Sequence, residues 1–362
     1  MAACSTLVIT IASAYRNVRL ALSDYAGQPA VDLWIAPAGA DNLIRGSFVS
    51  FVPLSDASAI RALPGVARAD PVQEAFLPVQ QLGSRDPGKR LTLLTIGYRL
   101  PDGLGGAPAY VEGRAPRAND EIALDRAAAF RLKVRVGDTV DFNGYPALVA
   151  GLTSGTNILA TQFVFADFDA VSSGGEAVGD LPVRRLRGAA FVLVKVASGA
   201  DRDVVIRSIE DRFPHLRAYT REQFTAANER EISAGFVPLL ALATILAVGA
   251  AALLVGLLIL SVVDERRGDI AVLLALGTPA AAVGRGVLVQ AVALSLQGTG
   301  IGAFLSYGLY LALDAALPTI PLRMALGDVL ATAALFTATG LAGAIVPVVK
   351  LNAVDPLEAF RA

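Results

Sequence analysis

The chain has 362 residues, 54% of them apolar, a mean hydropathy of +0.56 and a net charge of −1. That hydropathy lies outside the soluble globular norm, and the balanced charge leaves no electrostatic footprint for nucleic acid as a partner. With Cys4 as the only cysteine and His215 as the only histidine, the chain can build neither an internal disulfide nor a histidine or zinc–thiolate metal cluster.

Residues 1–14 (MAACSTLVITIASA) are apolar but short. As a helix they reach about 21 Å, against a hydrocarbon core of about 30 Å. One reading is a stunted signal peptide with Ala12-Ser13-Ala14 imitating a cleavage site, although a positive n-region is missing. The favoured reading is the remnant of transmembrane helix 1, its beginning upstream of Met1. Either way residues 15–233 are expected outside the cytoplasm.

Those residues hold 25 Lys/Arg and 25 Asp/Glu, all of them after residue 14, whereas residues 234–362 hold only 6 and 7. The first stretch is charged like a soluble domain and long enough for its own core. It reads as mixed α/β. Residues 30–36 (AVDLWIA), 91–98 and 189–196 have strand character. Residues 140–142, Asn143-Gly144 and 145–150 read as a hairpin, because Asn-Gly suits a type I′ turn. A short helix over 55–63 is expected to be capped by Ser55 and stopped by Pro64. A second, over 201–213, shows helical spacing through Val204, Val205, Ile209 and Phe213.

Catalytic motifs fail on inspection. Residues 83–90 (GSRDPGKR) approach a P-loop, but Arg90 replaces the magnesium-binding hydroxyl and a strand-like run follows where a helix should begin. The segment reads as a surface turn. His215 follows Pro214 and reads as solvated; no G-x-S-x-G elbow accompanies it. No spacing singles out a pair of carboxylates. The chain is therefore not expected to be an enzyme.

Thr220 and Gln223 form a capping-box pattern, and no helix breaker follows before Gly235. One helix is expected to start in the polar domain and run into the membrane; the alternative is a flexible joint at Ser233-Ala234-Gly235. Three apolar spans follow, at 235–263, 286–313 and 329–349, each longer than the ~20 residues that cross a bilayer. Arg266, Arg267, Arg285, Lys350 and Arg361 lie on one side of them, and Arg323 beside Asp314 and Asp328 on the other. The positive-inside rule makes residues 264–285 and the C-terminus cytoplasmic. The expected division is 1–14, 15–233, a span at 234–263, a cytoplasmic segment at 264–284, a span at 285–313, an external loop at 314–325, a span at 326–349 and a cytoplasmic tail at 350–362. Gly298, Gly300 and Gly302, with Gln290 and Gln297, mark helix packing or a face that slides or dimerises. No charge sits at mid-depth, which argues against an ion-driven carrier.

Residues 264–277 (DERRGDIAVLLALG) begin charged and turn apolar at Ile270, Val272, Leu273, Leu274 and Leu276. Such a segment lies on the membrane surface or docks into a partner's groove.

Here the sequence resembles the FtsX/MacB-like permeases of ABC transporters. Residues 265–279, ERRGDIAVLLALGTP, are similar to that family's ERRREIGVLRALGAS, and the likeness continues at 286–291 (GVLVQA) and 355–361 (DPLEAFR, similar to D-P-x-E-A-L-R). Residues 111–140 resemble the MacB-type periplasmic core. Leu274 stands where Arg or Lys is usual and Gln290 where an acid is common; a cytoplasmic amphipathic helix and the inner half of helix 1 are missing, as in a shortened reading frame. The resemblance implies an integral membrane α-helical four-helix permease, its first helix truncated, with a large mixed α/β extracytoplasmic domain between helices 1 and 2. It implies a stand-alone, DevC-like, non-catalytic subunit of an export, efflux or lipoprotein-release system in the bacterial inner membrane. ATP and magnesium belong to a separate ABC ATPase, and this chain holds no cofactor of its own. The other partners implied are a second permease copy (itself or a close paralogue), membrane lipid and, in efflux systems, a periplasmic adaptor. Arg266, Arg267 and Asp269 are expected to anchor the ATPase, with Ile270, Leu273 and Leu274 filling its groove. The alternative is an FtsX-like signalling module that activates a cell-wall hydrolase; an exported enzyme on a membrane anchor is disfavoured.

Overall fold

The computed structural model describes residues 1–46, 51–83, 90–158, 161–173, 188–316 and 324–351. In chain order the helices are α1 (Ala2–Ala26), α2 (Leu43–Gly46), α3 (Leu54–Arg61), α4 (Arg126–Leu132), α5 (Phe168–Ser173), α6 (Arg202–Arg212), α7 (Arg221–Glu265), α8 (Arg267–Ala275), α9 (Ala280–Ala316) and α10 (Leu326–Leu351). The strands are β1 (Leu33–Pro37), β2 (Val52–Pro53), β3 (Val66–Gln81), β4 (Leu91–Tyr98), β5 (Tyr110–Gly113), β6 (Glu121–Asp125), β7 (Thr139–Phe142), β8 (Tyr145–Thr153), β9 (Asn157–Ile158), β10 (Thr161–Asp167), β11 (Gly188–Ala189), β12 (Phe191–Val196) and β13 (Leu216–Thr220). The chain divides into two compact units, one formed by Asn17–Ala234 and the other chiefly by Met1–Arg16, Gly235–Ala315 and α10.

The first unit is built on a mixed sheet ordered β13-β1-β12-β3-β4-β10-β6-β8-β5, with β7 bridging β3 and β8. β10 runs parallel to β4, and β6 to β8; the other pairs are antiparallel. Two apolar clusters hold its helices. Leu77, Leu93, Ile122, Leu124 and Val164 pack under Ala128 and Leu132 of α4 and Val171 of α5. Leu33, Ile35, Val192 and Val194 pack under Ala57 and Ile60 of α3 and Val205 and Ile209 of α6.

Local chemistry explains most boundaries. Asn143 and Gly144 both take positive φ (51° and 87°), so Phe142 pairs with Tyr145 across a tight type I′ hairpin. Asp201 caps α6, accepting from Asp203 N at 2.8 Å. Val204 is an exception to the apolar spacing of that helix, since it is exposed while Val205 and Ile209 are buried. The expected cap at Ser55 is corrected. α3 begins at Leu54 after Pro53, which lacks a side-chain oxygen, and Ser55 Oγ donates instead to Asp56 Oδ1 at 3.2 Å. The run at 189–196 is broken at Ala190 into β11 and β12. Of the P-loop-like stretch, residues 84–89 lie outside the described residues, and β4 follows it. α1 continues well beyond Ala14, to Ala26.

In the second unit, Val237–Glu265, Ala280–Leu313 and Leu326–Ile345 are long and apolar enough to cross a membrane. α7 is a single helix of 45 residues that passes through Ser233, Ala234 and Gly235 without interruption. Its start is the capping box read from sequence: Gln223 N donates to Thr220 Oγ1 at 3.2 Å, and Thr220 N to Gln223 Oε1 at 3.0 Å.

Candidate functional site

The segment after α7 forms a short, closely terminated helix. Arg266 leaves the helical conformation (φ −101°, ψ 18°), which separates α7 from α8. At the other end Thr278 N donates to Leu273 O and Gly277 N to Leu274 O, both at 3.0 Å, with Gly277 at φ 90°. This is a Schellman turn, in which glycine accepts the left-handed conformation that other residues avoid, and Pro279 follows it.

α8 has two faces. Ile270, Ala271 and the half-buried Leu274 turn inward, where Ile270 and Leu274 join one apolar cluster with Val255, Ile259 and Val263 of α7, Val287 and Ala291 of α9, and Ala344 of α10. Arg266, Asp269, Val272, Leu273 and Leu276 face outward, Leu276 being 78% exposed. Arg267 opens the helix. Of the six residues expected to meet an ATPase, Ile270 and Leu274 thus belong to the interior of the helical unit, because a nine-residue helix lying on a bundle must bury one stripe. Val272 and Leu276 lie on the outer surface.

Small residues set the spacing of the long helices. A Cβ on Gly302 would collide with Ser5 Oγ, and one on Gly298 would stand 2.5 Å from Met1 Cβ, so both glycines receive α1. Hydroxyls reinforce that contact: Ser5 Oγ donates to Gly298 O at 3.0 Å, Thr6 Oγ1 to Gly302 O at 3.3 Å, and Ser306 Oγ to Thr6 O at 3.2 Å. Gly300 has nothing within 4 Å of a Cβ position and faces outward. Gln290 and Gln297 are also exposed on α9, and among the described residues they make none of the interhelical bonds that buried amides would make.

In the sheet unit, the end of α1 and the start of α7 share one aromatic cluster. Trp34 of β1 stacks on Phe224 of α7, and both meet Phe191 edge-on, at 5.5 and 5.3 Å. Tyr25 of α1 meets Trp34 and Phe163 edge-on at 6.0 and 5.6 Å. Burial pushes the Tyr25 hydroxyl well above its ordinary pKa, so it stays protonated and donates to Gly105 O at 3.1 Å. Trp34 Nε1 donates to Ala26 O at 3.1 Å. One turn along α7, Asn228 accepts from Leu43 N at 3.0 Å and donates to Phe224 O at 2.8 Å.

Residues 1–212 match the family described as the MacB-like periplasmic core domain, and residues 241–356 match the FtsX-like permease C-terminal family. The chain belongs to the MacB/FtsX-type ABC transporter permeases. This permease is similar to an uncharacterized ABC transporter permease of Mycobacterium tuberculosis, 26% identical over 361 residues, covering 98% of this chain and 91% of the relative. It is also similar to the macrolide export ATP-binding/permease protein MacB of Rhodopseudomonas palustris, 31% identical over 98 residues, 27% of this chain and 15% of that one. Among solved structures, it is similar to the periplasmic region of MacB from Actinobacillus actinomycetemcomitans, with a TM-score of 0.41 and 16% identity, covering 56% of this chain and 94% of that one.

Several contributors to the permease's helical unit escaped the sequence reading. Gly256 and Gly343 bring α7 and α10 together, a Cβ on Gly343 reaching 2.7 Å from Ala252 O, and Gly340 receives Ser295 of α9. Arg16 of α1 pairs with Asp328 of α10 at 3.0 Å, with Ser13 Oγ at 3.1 Å from the same carboxylate oxygen. The small residues were visible in the spans, but their partners depend on three-dimensional registry that spacing alone does not give.

Proposed function

We propose that this permease is the transmembrane subunit of an ABC-type export, efflux or lipoprotein-release system of the bacterial inner membrane. A separate ATPase docks on the outer face of α8, and its hydrolysis cycle is passed along α7 to the extracytoplasmic sheet. The observation that carries this reading is the continuity of α7, one helix from Arg221 to Glu265, rooted in the sheet by Phe224 and followed directly by α8. A continuous helix transmits displacement that a flexible linker would dissipate. Pro238 removes one helical hydrogen bond and crowds the carbonyl of Ala234, which bends a membrane helix without ending it.

On this reading Asp269 and Arg266 orient the contact, while Val272, Leu273 and Leu276 fill a groove on the ATPase. Their exposure supports that role. Nucleotide and magnesium stay with the motor. The permease works as a pair, and the exposed amides of Gln290 and Gln297 support this, since an amide facing hydrocarbon without a partner is costly. An outer domain of more than 200 residues favours export over signalling.

The test is purification of the intact complex in detergent with identification of its subunits. An ATP-hydrolysing subunit is expected with the wild type and is expected to be lost from Leu273→Asp/Leu276→Asp, whose side chains leave the bundle interior untouched. Ile270→Asp is unsuitable, because it places a carboxylate in the interior. Unchanged retention of the ATPase by the double variant refutes the docking face.

A further inference from the structure

The sheet ends at β13, and an open strand edge is a template for another strand. Here its donors are already used. Pairing with β1 directs the N–H groups of Arg217 and Tyr219 inward and those of Leu216, Ala218 and Thr220 outward. The three outward groups donate to Phe213 O at 2.9 Å, Glu210 Oε1 at 3.1 Å and Gln223 Oε1 at 3.0 Å. The capping box of α7 therefore also guards the sheet edge. An incoming peptide finds no free outward N–H on this strand, only carbonyl acceptors, so an anionic ligand here must be held by side chains.

Beside that edge lies an open groove of about 480 Å³, lined by Ile206, Glu210, Arg217, Tyr219, Gln223 and Arg230. Its volume is that of a small-molecule site, typically ~300–1,000 Å³. The two acids of the groove keep their charge, and each accepts from a neutral N–H group. Glu210 accepts from Ala218 N, and Asp41, also on the wall, accepts from Asn42 Nδ2 at 3.1 Å and lies 3.9 Å from Arg45. Among the described residues its two guanidiniums form no ion pair. Arg217 donates only to the carbonyls of Pro214 and Leu216, Arg230 donates to Ala226 O at 3.3 Å, and neither has a carboxylate partner among the described residues. Ile206, Ala218 and Ala227 supply an apolar wall. Two planar cations with spare donors above an apolar wall match a phosphate or carboxylate head on an apolar body.

We propose that this groove binds a small anionic amphiphile, its head held by Arg217 and Arg230 and its apolar part against Ile206, Ala218 and Ala227. Gln223, Ala227 and Arg230 stand on the opening turns of α7, so an occupied groove stiffens the root of that helix. The site requires no motor, and its test stands apart from that of ATPase docking.

The test is amide hydrogen exchange over residues 216–230 of the full-length protein in uncharged maltoside detergent. Three probes are added in turn: dodecyl phosphate below its micellar concentration, inorganic phosphate, and further dodecyl maltoside. Dodecyl phosphate is expected to slow exchange, and Arg217→Gln/Arg230→Gln to weaken it at least tenfold. Arg202→Gln, outside the groove, leaves the effect unchanged. Arg230→Gln alone, whose Nε contacts only its own helix, is the second variant should the double one fail to fold. Inorganic phosphate with the same arginine dependence keeps the site and assigns it to free anions; phosphate without effect assigns it to amphiphiles. Protection that survives loss of both guanidiniums, that maltoside reproduces, or that neither anion produces overturns the proposal.

Discussion

The indole of Trp34 lies flat on the ring of Phe224, with centroids 4.2 Å apart and planes 5° from parallel. A strand of the sheet is thereby fixed to the first turns of α7, and the same indole holds the end of α1 through Ala26 O. Both rings are fully buried. Trp34→Ala is expected to destabilise the extracytoplasmic domain by about 3–5 kcal/mol, as aromatic truncations in cores do. Trp34→Phe keeps a ring against Phe224 but orphans Ala26 O, and is expected to cost about 1–3 kcal/mol. Denaturant unfolding followed by circular dichroism checks both; a Trp34→Ala protein as stable as the wild type contradicts the role given to this stack.

The domain carries an acid-sensitive ion pair at β6. Arg114 places Nη1 and Nη2 at 2.6 Å from the two oxygens of Glu121, and Arg117 N donates to the same carboxylate at 2.8 Å. The Arg114 guanidinium is the main cause that holds Glu121 down at about 2, against an ordinary value of 4.5. Because the folded value is the lower one, the stability this group contributes is complete above pH 4.5 and is lost as the pH falls from 4.5 towards 2. Glu121→Gln is expected to remove that part of the acid-unfolding profile. A profile of unchanged slope over this interval contradicts it.

The glycines of α9 divide by partner. Gly302→Val is expected to separate α1 from α9 and to cost about 1–3 kcal/mol through overpacking, seen as a lower melting temperature in detergent. Gly300→Val meets none of the described residues and is expected to lower that temperature less than Gly302→Val does. In a Cys4→Ser background, Gln297→Cys is expected to form a cross-linked dimer in membranes. Equal melting temperatures for the two valine variants contradict the packing account, and monomeric Gln297→Cys under oxidation contradicts the dimer face.

Sequence carried the architecture well where one residue type has a single physical solution. Asn143-Gly144 specified its turn, Thr220 and Gln223 specified the start of α7, and the three apolar spans could be buried in no other way. It carried side-chain direction poorly. On α8 the run Ile270, Val272, Leu273, Leu274 is apolar on every side, so the spacing does not say which residues face the bundle and which face out. Ser55 failed as a cap because a hydroxyl one residue inside a helix turns to the nearest carboxylate, here Asp56. His215, read as solvated, is exposed but has Nε2 2.9 Å from Asp56 Oδ2, a partner 159 residues earlier that no local pattern reveals.

In the proposed mechanism, motor work done at α8 reaches the sheet through α7. The most direct test is hydrogen exchange of residues 33–37 and 216–228 in the reconstituted permease–ATPase complex, with ATP and with ATP plus vanadate. The nucleotide state is expected to change exchange at β1, β13 and the root of α7, and Leu273→Asp/Leu276→Asp to abolish the change. Identical exchange in both states, in a complex that hydrolyses ATP at its normal rate, would contradict it.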